Sequence, residues 1–246
     1  MSDLDRRVIA IAGAAGGLGP TVAATLAKRG ATLALTDVDQ EALDALAGTL
    51  RDEHGLDPER LDARAVDLLD EGATREWAAQ LAERFGQVDG LVHLVGGWRG
   101  GEPLATASLD DYAWLHDLLV HTVQHATRAF HDALAAGPNG RFVLVSSAQA
   151  QSPDGTNAAY AATKAAAETW TLALADSFAK AAADGPGRAT ANVVVVNAIL
   201  TPAMRERNPD KPYPTFTPVE DIAEAIAFIC SDAGARMNGK RLELHP

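Results

Sequence analysis

A single cysteine, Cys230, stands in 246 residues, so neither an internal disulfide nor a thiolate metal cluster can be built, and a reducing compartment suits the chain. Basic residues are also scarce: 21 Lys and Arg against 33 Asp and Glu leave a net charge of −12. That balance repels a phosphate backbone and argues against nucleic acid as a partner. No run approaches the roughly 20 apolar residues that a membrane span requires. The N-terminal MSDLDRR carries acid where a secretory leader carries positive charge. A cytoplasmic protein without membrane contact is expected. Aromatic residues make up only 5% of the chain, which favours closely packed helices over an aromatic-rich β-sandwich. Linkers rich in proline or serine are missing too, as are short-period repeats. Residues 1–246 therefore read as one domain, and 47% hydrophobic content is enough for a sizeable core.

What is present is an alternation of short apolar runs with longer amphipathic stretches. The segments 7–12, 31–36, 61–66, 88–95, 141–146 and 191–196 read as buried strands, with a weaker seventh at 240–244. Helical patterns lie between them near 18–30, 40–53, 70–85, 108–136, 157–183 and 219–231. Near-continuous Val, Ile, Leu and Ala runs belong to strands covered on both faces, so the pattern predicts an α/β fold with a doubly wound parallel sheet. The segment 200–218 carries five prolines. It is expected to be a long irregular loop, placed as a lid over a substrate.

After the first strand comes Gly13-Ala-Ala-Gly16-Gly17-Leu18-Gly19-Pro20, leading into an alanine-rich helix. Glycines let the backbone turn tightly and approach a pyrophosphate, while the helix N-terminus offers unpaired N–H groups. The second strand ends at Asp37, 18 residues beyond Gly19, the spacing of a carboxylate that hydrogen-bonds an adenosine ribose. A 2′-phosphate beside it would be repelled, and no Arg or Lys lies in the glycine loop. NAD(H) is therefore expected over NADP(H). Asp67 closes the third strand, where it can accept from an adenine amino group, and Val95-Gly96-Gly97 closes the fourth, where glycine permits close approach of a ligand.

Tyr160 and Lys164 are four residues apart at the start of a long helical segment and so share a face, with Ser147 just after the fifth strand. Together with Gly13, Gly17, Gly19, Asp37, Asp67, Ile199 and Thr201, this set resembles the short-chain dehydrogenase/reductase family over essentially the whole chain. The resemblance implies a Rossmann-type seven-stranded sheet, with Tyr160 as general acid/base, Lys164 stabilising its phenolate and Ser147 holding the substrate oxygen. It also implies cofactor contacts from Gly13, Gly16, Gly17, Leu18, Gly19, Asp37, Asp67, Leu68, Val95, Gly96, Gly97, Tyr160, Lys164, Ile199 and Thr201. The substrate implied is a small carbonyl or alcohol. The assembly implied is a homo-oligomer, tetramer or dimer, packed through the long helices.

The chain departs from the family pattern in places. His93-Leu94-Val95-Gly96 replaces the usual Asn-Asn-Ala-Gly, which puts His93 in a buried structural position. In the long fifth helix, His121 stands where the family often has an asparagine that holds a water on the proton path, and it is expected to relay protons there. Val196-Asn197 replaces the usual Pro-Gly, leaving the geometry of that loop open. His121 and His125 have the spacing of a ligand pair, but without a third ligand no metal site is expected. The strings Gly96-Gly97-Trp98-Arg99-Gly100-Gly101, Asp154-Gly155-Thr156, Thr201-Pro202 and Phe216-Thr217-Pro218 resemble dihydropteridine reductase, in which Trp98 would stack on a flat substrate. A non-catalytic dinucleotide-binding protein on the same fold is the competing class.

Overall fold

The computed structural model describes residues 3–183 and 188–244, so the first two residues of the N-terminal segment lie outside it. In chain order the elements are β1 (Val8–Ala12), α1 (Gly19–Lys28), β2 (Thr32–Asp37), α2 (Gln40–Asp52), β3 (Leu61–Ala65) and α3 (Glu71–Phe85). Then come β4 (Gly90–His93), α4 (Leu109–His116), a π-helical turn at Asp117–His121, α5 (Thr122–Ala136), β5 (Arg141–Ser147) and α6 (Ala158–Ala183). The last third holds β6 (Thr190–Val196), β7 (Ala198–Leu200), α7 (Pro202–Arg207), β8 (Phe216–Pro218), α8 (Val219–Cys230) and β9 (Arg241–Glu243).

The strands form a seven-stranded sheet in the order β3-β2-β1-β4-β5-β6-β9, and each neighbouring pair is parallel. Side chains along a strand alternate between faces, and both faces are covered here. Ile9 and Ile11 of β1 and Val194 and Val196 of β6 face a core built with α1, α2 and α8. Ala10, Ala12, Val193 and Val195 face the second core, under α3, α5 and α6. There Trp77 and Phe130 meet edge to face with centroids 5.0 Å apart, a pairing worth about 0.5–1.5 kcal/mol beyond its burial. Carboxylate and hydroxyl caps set helix starts: Asp39 accepts from the Ala42 amide at 3.0 Å and Asp70 from Ala73 at 3.0 Å. Gly86 ends α3 with φ +76°, in the left-handed region.

Two expectations are corrected. The helix expected as one piece over 108–136 is α4 and α5 joined by the π turn, which inserts a residue and rotates everything after it. The segment 200–218 is not an irregular loop. Thr201 caps α7 by accepting from the Met204 amide at 3.3 Å, with Pro202 in its first turn, where no N–H is needed. β8 then returns to pair in parallel with β7, and Tyr213 donates to the Met204 carbonyl at 3.1 Å while packing against Phe216. Proline fixes φ without forbidding a first helical turn or a short edge strand.

Candidate active site

The carboxyl ends of β1 to β6 open onto a cleft of about 940 Å³. It lies where β1 is flanked by β2 on one side and β4 on the other, and the chain's winding direction reverses. At the end of β1, Gly13 has φ +78°, and a Cβ there would sit 2.7 Å from the Val95 amide nitrogen. At Gly19 a Cβ would lie 2.0 Å from the Ala14 carbonyl oxygen. Both positions therefore require glycine. Leu18 occupies the N-cap of α1, no side chain caps that helix, and no acidic residue stands in its first turn. Such an end is available to an anion.

At the far side of the cleft, Asp37 accepts from the Ala15 amide at 3.0 Å and from its own neighbour Val38 at 2.8 Å. Its carboxylate is thus tied to the glycine loop, and each oxygen retains a lone pair for a hydroxyl donor. Asp67 turns the chain after β3 by accepting from the Leu69 amide at 2.9 Å. Both line the cleft, with Leu68 between Asp67 and Leu69. Among the described lining residues, Lys164 is the one cation.

The third wall holds Ser147, Tyr160 and Lys164. α6 lifts Tyr160 and Lys164 toward the end of β5, where the Ser147 hydroxyl neighbours the Tyr160 phenol and accepts from the Gln149 amide at 3.2 Å. Burial holds the Tyr160 phenol above its ordinary pKa, and the nearby Ser147 hydroxyl works against that. Lys164 donates to the Val145 carbonyl at 3.1 Å, and its ammonium lies 5.8 Å from the Tyr160 ring centre. Burial lowers the Lys164 pKa to about 8, opposed by the Glu168 carboxylate. Glu168 is itself buried and accepts from Arg241 Nε of β9 at 2.8 Å.

Behind Lys164, His93 is fully buried and its Nε2 lies 3.1 Å from Thr122 Oγ1. Thr122 gives its own proton to the Leu118 carbonyl at 2.6 Å, so His93 Nε2 is the donor of that pair. Burial, and to a lesser degree Lys164, push the His93 pKa down to about 3, so the ring is neutral. This agrees with the buried structural position expected of it.

Most sequence-predicted site residues meet in the cleft: Gly13, Gly16, Gly17, Leu18, Asp37, Asp67, Leu68, Val95, Gly96, Gly97, Tyr160, Lys164 and Ile199 line it. Gly19 and Ser147 sit buried just behind, and the Thr201 methyl approaches Gly17 from the same side as Ile199. His121 is the exception. Its side chain is 41% exposed and its Nδ1 lies 3.0 Å from Asp117, while Leu118 and Thr122 on either side of it line the cleft. The π turn shifts the register by one residue, and His121, expected on the proton path from the family resemblance, falls outside the cleft lining. Arg99 stacks 4.0 Å from the Trp114 ring and pairs with Asp111 at 3.0 Å. Sequence reasoning missed Thr122, Trp114, Leu118, Asn157 and Glu168. For Glu168 a signal existed, the four-residue step from Lys164 along one helix.

The family model described as enoyl-(acyl carrier protein) reductase matches residues 13–244. The 2,3-dihydro-2,3-dihydroxybenzoate dehydrogenase of Bacillus subtilis is 32% identical over 173 residues, 70% of this chain and 64% of the relative. The cis-4-hydroxycyclohexanecarboxylate dehydrogenase of Sinomonas cyclohexanicum is 30% identical over 95% of this chain and 92% of its own. The 3-oxoacyl-(acyl-carrier-protein) reductase FabG of Thermotoga maritima is 28% identical over 96% and 95%. Among solved structures, a short-chain glucose/ribitol dehydrogenase from Brucella melitensis superposes with a TM-score of 0.81 at 29% identity, covering 98% of this chain and 95% of that one. An NADPH-bound short-chain oxidoreductase from Pseudomonas aeruginosa shares the fold, with a TM-score of 0.85 at 23% identity over 99% and 97%.

Proposed function

Because the chain belongs to the short-chain dehydrogenase/reductase family, we propose that it is an NAD(H)-dependent oxidoreductase that interconverts a carbonyl and an alcohol. The observation that carries this reading is the convergence of Ser147, Tyr160 and Lys164 at the mouth of a glycine-lined dinucleotide cleft. Gly13 to Gly19 and the uncapped start of α1 suit a pyrophosphate, and Asp37 suits the two hydroxyls of an unphosphorylated adenosine ribose. A second phosphate beside Asp37 would meet a carboxylate with no cation among the residues lining that end, which favours NAD(H).

The bound nicotinamide supplies or takes the hydride. The chain manages the proton. In reduction, Tyr160 passes its phenolic proton to the carbonyl oxygen while Ser147 holds that oxygen in place. Lys164, held by the Val145 carbonyl and positively charged below about pH 8, stabilises the phenolate left behind. In oxidation the proton moves the other way. Trp98 and Trp114 give the substrate side an apolar wall, and the 200–218 segment that follows Ile199 is the substrate's cover in this reading. Trp170 and Leu172 are partly exposed on α6, which supports assembly into a homo-oligomer through the long helices.

The test is oxidation of NADH, with NADPH alongside, across cyclic and acyl ketones, ring oxo acids and quinonoid dihydropterin, in wild type and Tyr160→Phe. Preference for NADH and a fall of roughly 10²- to 10⁴-fold in the variant are expected. Tight NADH binding with no tyrosine-dependent turnover would refute the enzyme reading in favour of a non-catalytic binding protein.

A further inference from the structure

The outer face of the α4–α5 helix carries a cluster that the redox chemistry does not use. In a regular α-helix, residues five apart point about 140° away from one another, because each residue turns by about 100°. His116 and His121 are five apart, yet the π turn between them places their rings edge to face with centroids 4.5 Å apart. Asp117 lies in the same turn, its Oδ1 3.0 Å from His121 Nδ1. One ligand atom from each of His116, Asp117 and His121 falls within 4.8 Å of the other two.

We infer that His116, Asp117 and His121 form a binding site for a divalent transition-metal cation of the zinc class. Ligand atoms around a tetrahedral zinc ion lie about 3.4 Å apart, given bonds of about 2.0–2.2 Å. The cluster reaches that spacing by small rotations of half-exposed side chains; His121 and Asp117 are 41% and 54% exposed. Two imidazole nitrogens and one carboxylate oxygen suit zinc, cobalt or nickel, whereas magnesium and calcium want oxygen donors throughout. Water completes the coordination. The chain's net charge of −12 adds attraction for a cation.

Neighbouring groups hold the ligands near this arrangement. The Tyr112 ring lies 6.0 Å from that of His116. The His125 ring lies parallel to His121 at 6.1 Å, and its Nδ1 donates to the Leu68 carbonyl at 2.8 Å. The inner side of the same turn contributes Leu118 and Thr122 to the cleft wall, so a bound ion would clamp a turn that shapes the active site. The α-helical spacing of His121 and His125 points to the wrong pair. The third ligand appears only once the π turn is known.

The experiment is a zinc titration of the metal-stripped full chain against a chromophoric chelator, repeated with cobalt to read its visible d–d bands. Wild type should take up one equivalent. His116→Gln, Asp117→Asn and His121→Gln should each bind at least about tenfold more weakly, a loss of about 1.4 kcal/mol. His131→Gln on the same helix, where the ring pairs with Ser177, should bind as wild type does. So should Tyr160→Phe, which separates this site from the oxidoreductase reading. Zinc should raise the melting temperature of wild type and leave that of the ligand variants unmoved. No stoichiometric uptake by wild type, or undiminished uptake by the His116→Gln/His121→Gln double variant, would overturn the assignment.

Discussion

Replacing Glu168 by glutamine tests how this protein keeps a buried lysine charged. Lys164 is faced by Tyr160 and Glu168 on its own helix, by neutral His93 from β4, by the Val145 carbonyl from β5, and by Arg241 of β9 through Glu168. Burial lowers its pKa to about 8, and Glu168 is the group that opposes the fall. Side chains four apart on a helix have Cβ atoms about 5–6 Å apart. At about 6 Å and an effective dielectric of about 20, a full opposite charge is worth about 3 kcal/mol. Arg241, 2.8 Å from Glu168 Oε2, offsets roughly half of that, leaving about 1.4 kcal/mol, or one pH unit. Without the carboxylate Lys164 loses its proton at lower pH. The alkaline limb of kcat/KM, expected near pH 8 in wild type from the Lys164 value, should therefore move down to about pH 7 in Glu168→Gln. Initial rates of NADH oxidation across the pH range from 6 to 10 read this directly, with melting curves confirming that the variant is folded. A limb that stays in place or moves up would show that Glu168 does not support the charge on Lys164.

Four further outcomes are expected. Asp37→Ser removes the carboxylate that a 2′-phosphate would meet, so the ratio of NADPH to NADH affinity should rise at least about tenfold in fluorescence titrations; an unchanged ratio would mean that Asp37 does not set cofactor choice. Gly19→Ala puts a Cβ 2.0 Å from the Ala14 carbonyl oxygen and should lower both melting temperature and NADH affinity. Gly48→Ala in α2, where nothing lies within 4 Å, should instead stabilise by about 0.5–1 kcal/mol in urea titrations. Lys164→Met should abolish turnover yet raise stability at pH 7. The folded pKa of about 8 lies below the ordinary 10.5, so the unfolded chain binds the extra proton between these values, and wild-type stability rises with pH across that window. Melting curves from pH 7 to 11 should show that rise in wild type and its loss in the variant.

The sequence by itself carried the alternation of strands and helices, because apolar runs and periods of 2 and 3.6 residues are local properties of the chain. It also carried the glycine loop, Asp37 and the Tyr160–Lys164 step, since each depends on spacing within one or two adjoining elements. The elements of the main sheet and its covering helices fall within two residues of the expected bounds, apart from the two corrected segments. Tertiary structure alone decided the rest. The π turn at Asp117–His121 sends His121 outward and Thr122 inward, a one-residue shift that no periodicity in the flanking helices records. The pairing of β7 with β8 gives each paired residue of the proline-rich segment a partner 18 residues away. Glu168 matters because β9 brings Arg241 to it from 73 residues along the chain. Burial, and with it the lowered pKa of Lys164, is a property of what surrounds a side chain in space, and that is fixed only when distant elements close around it.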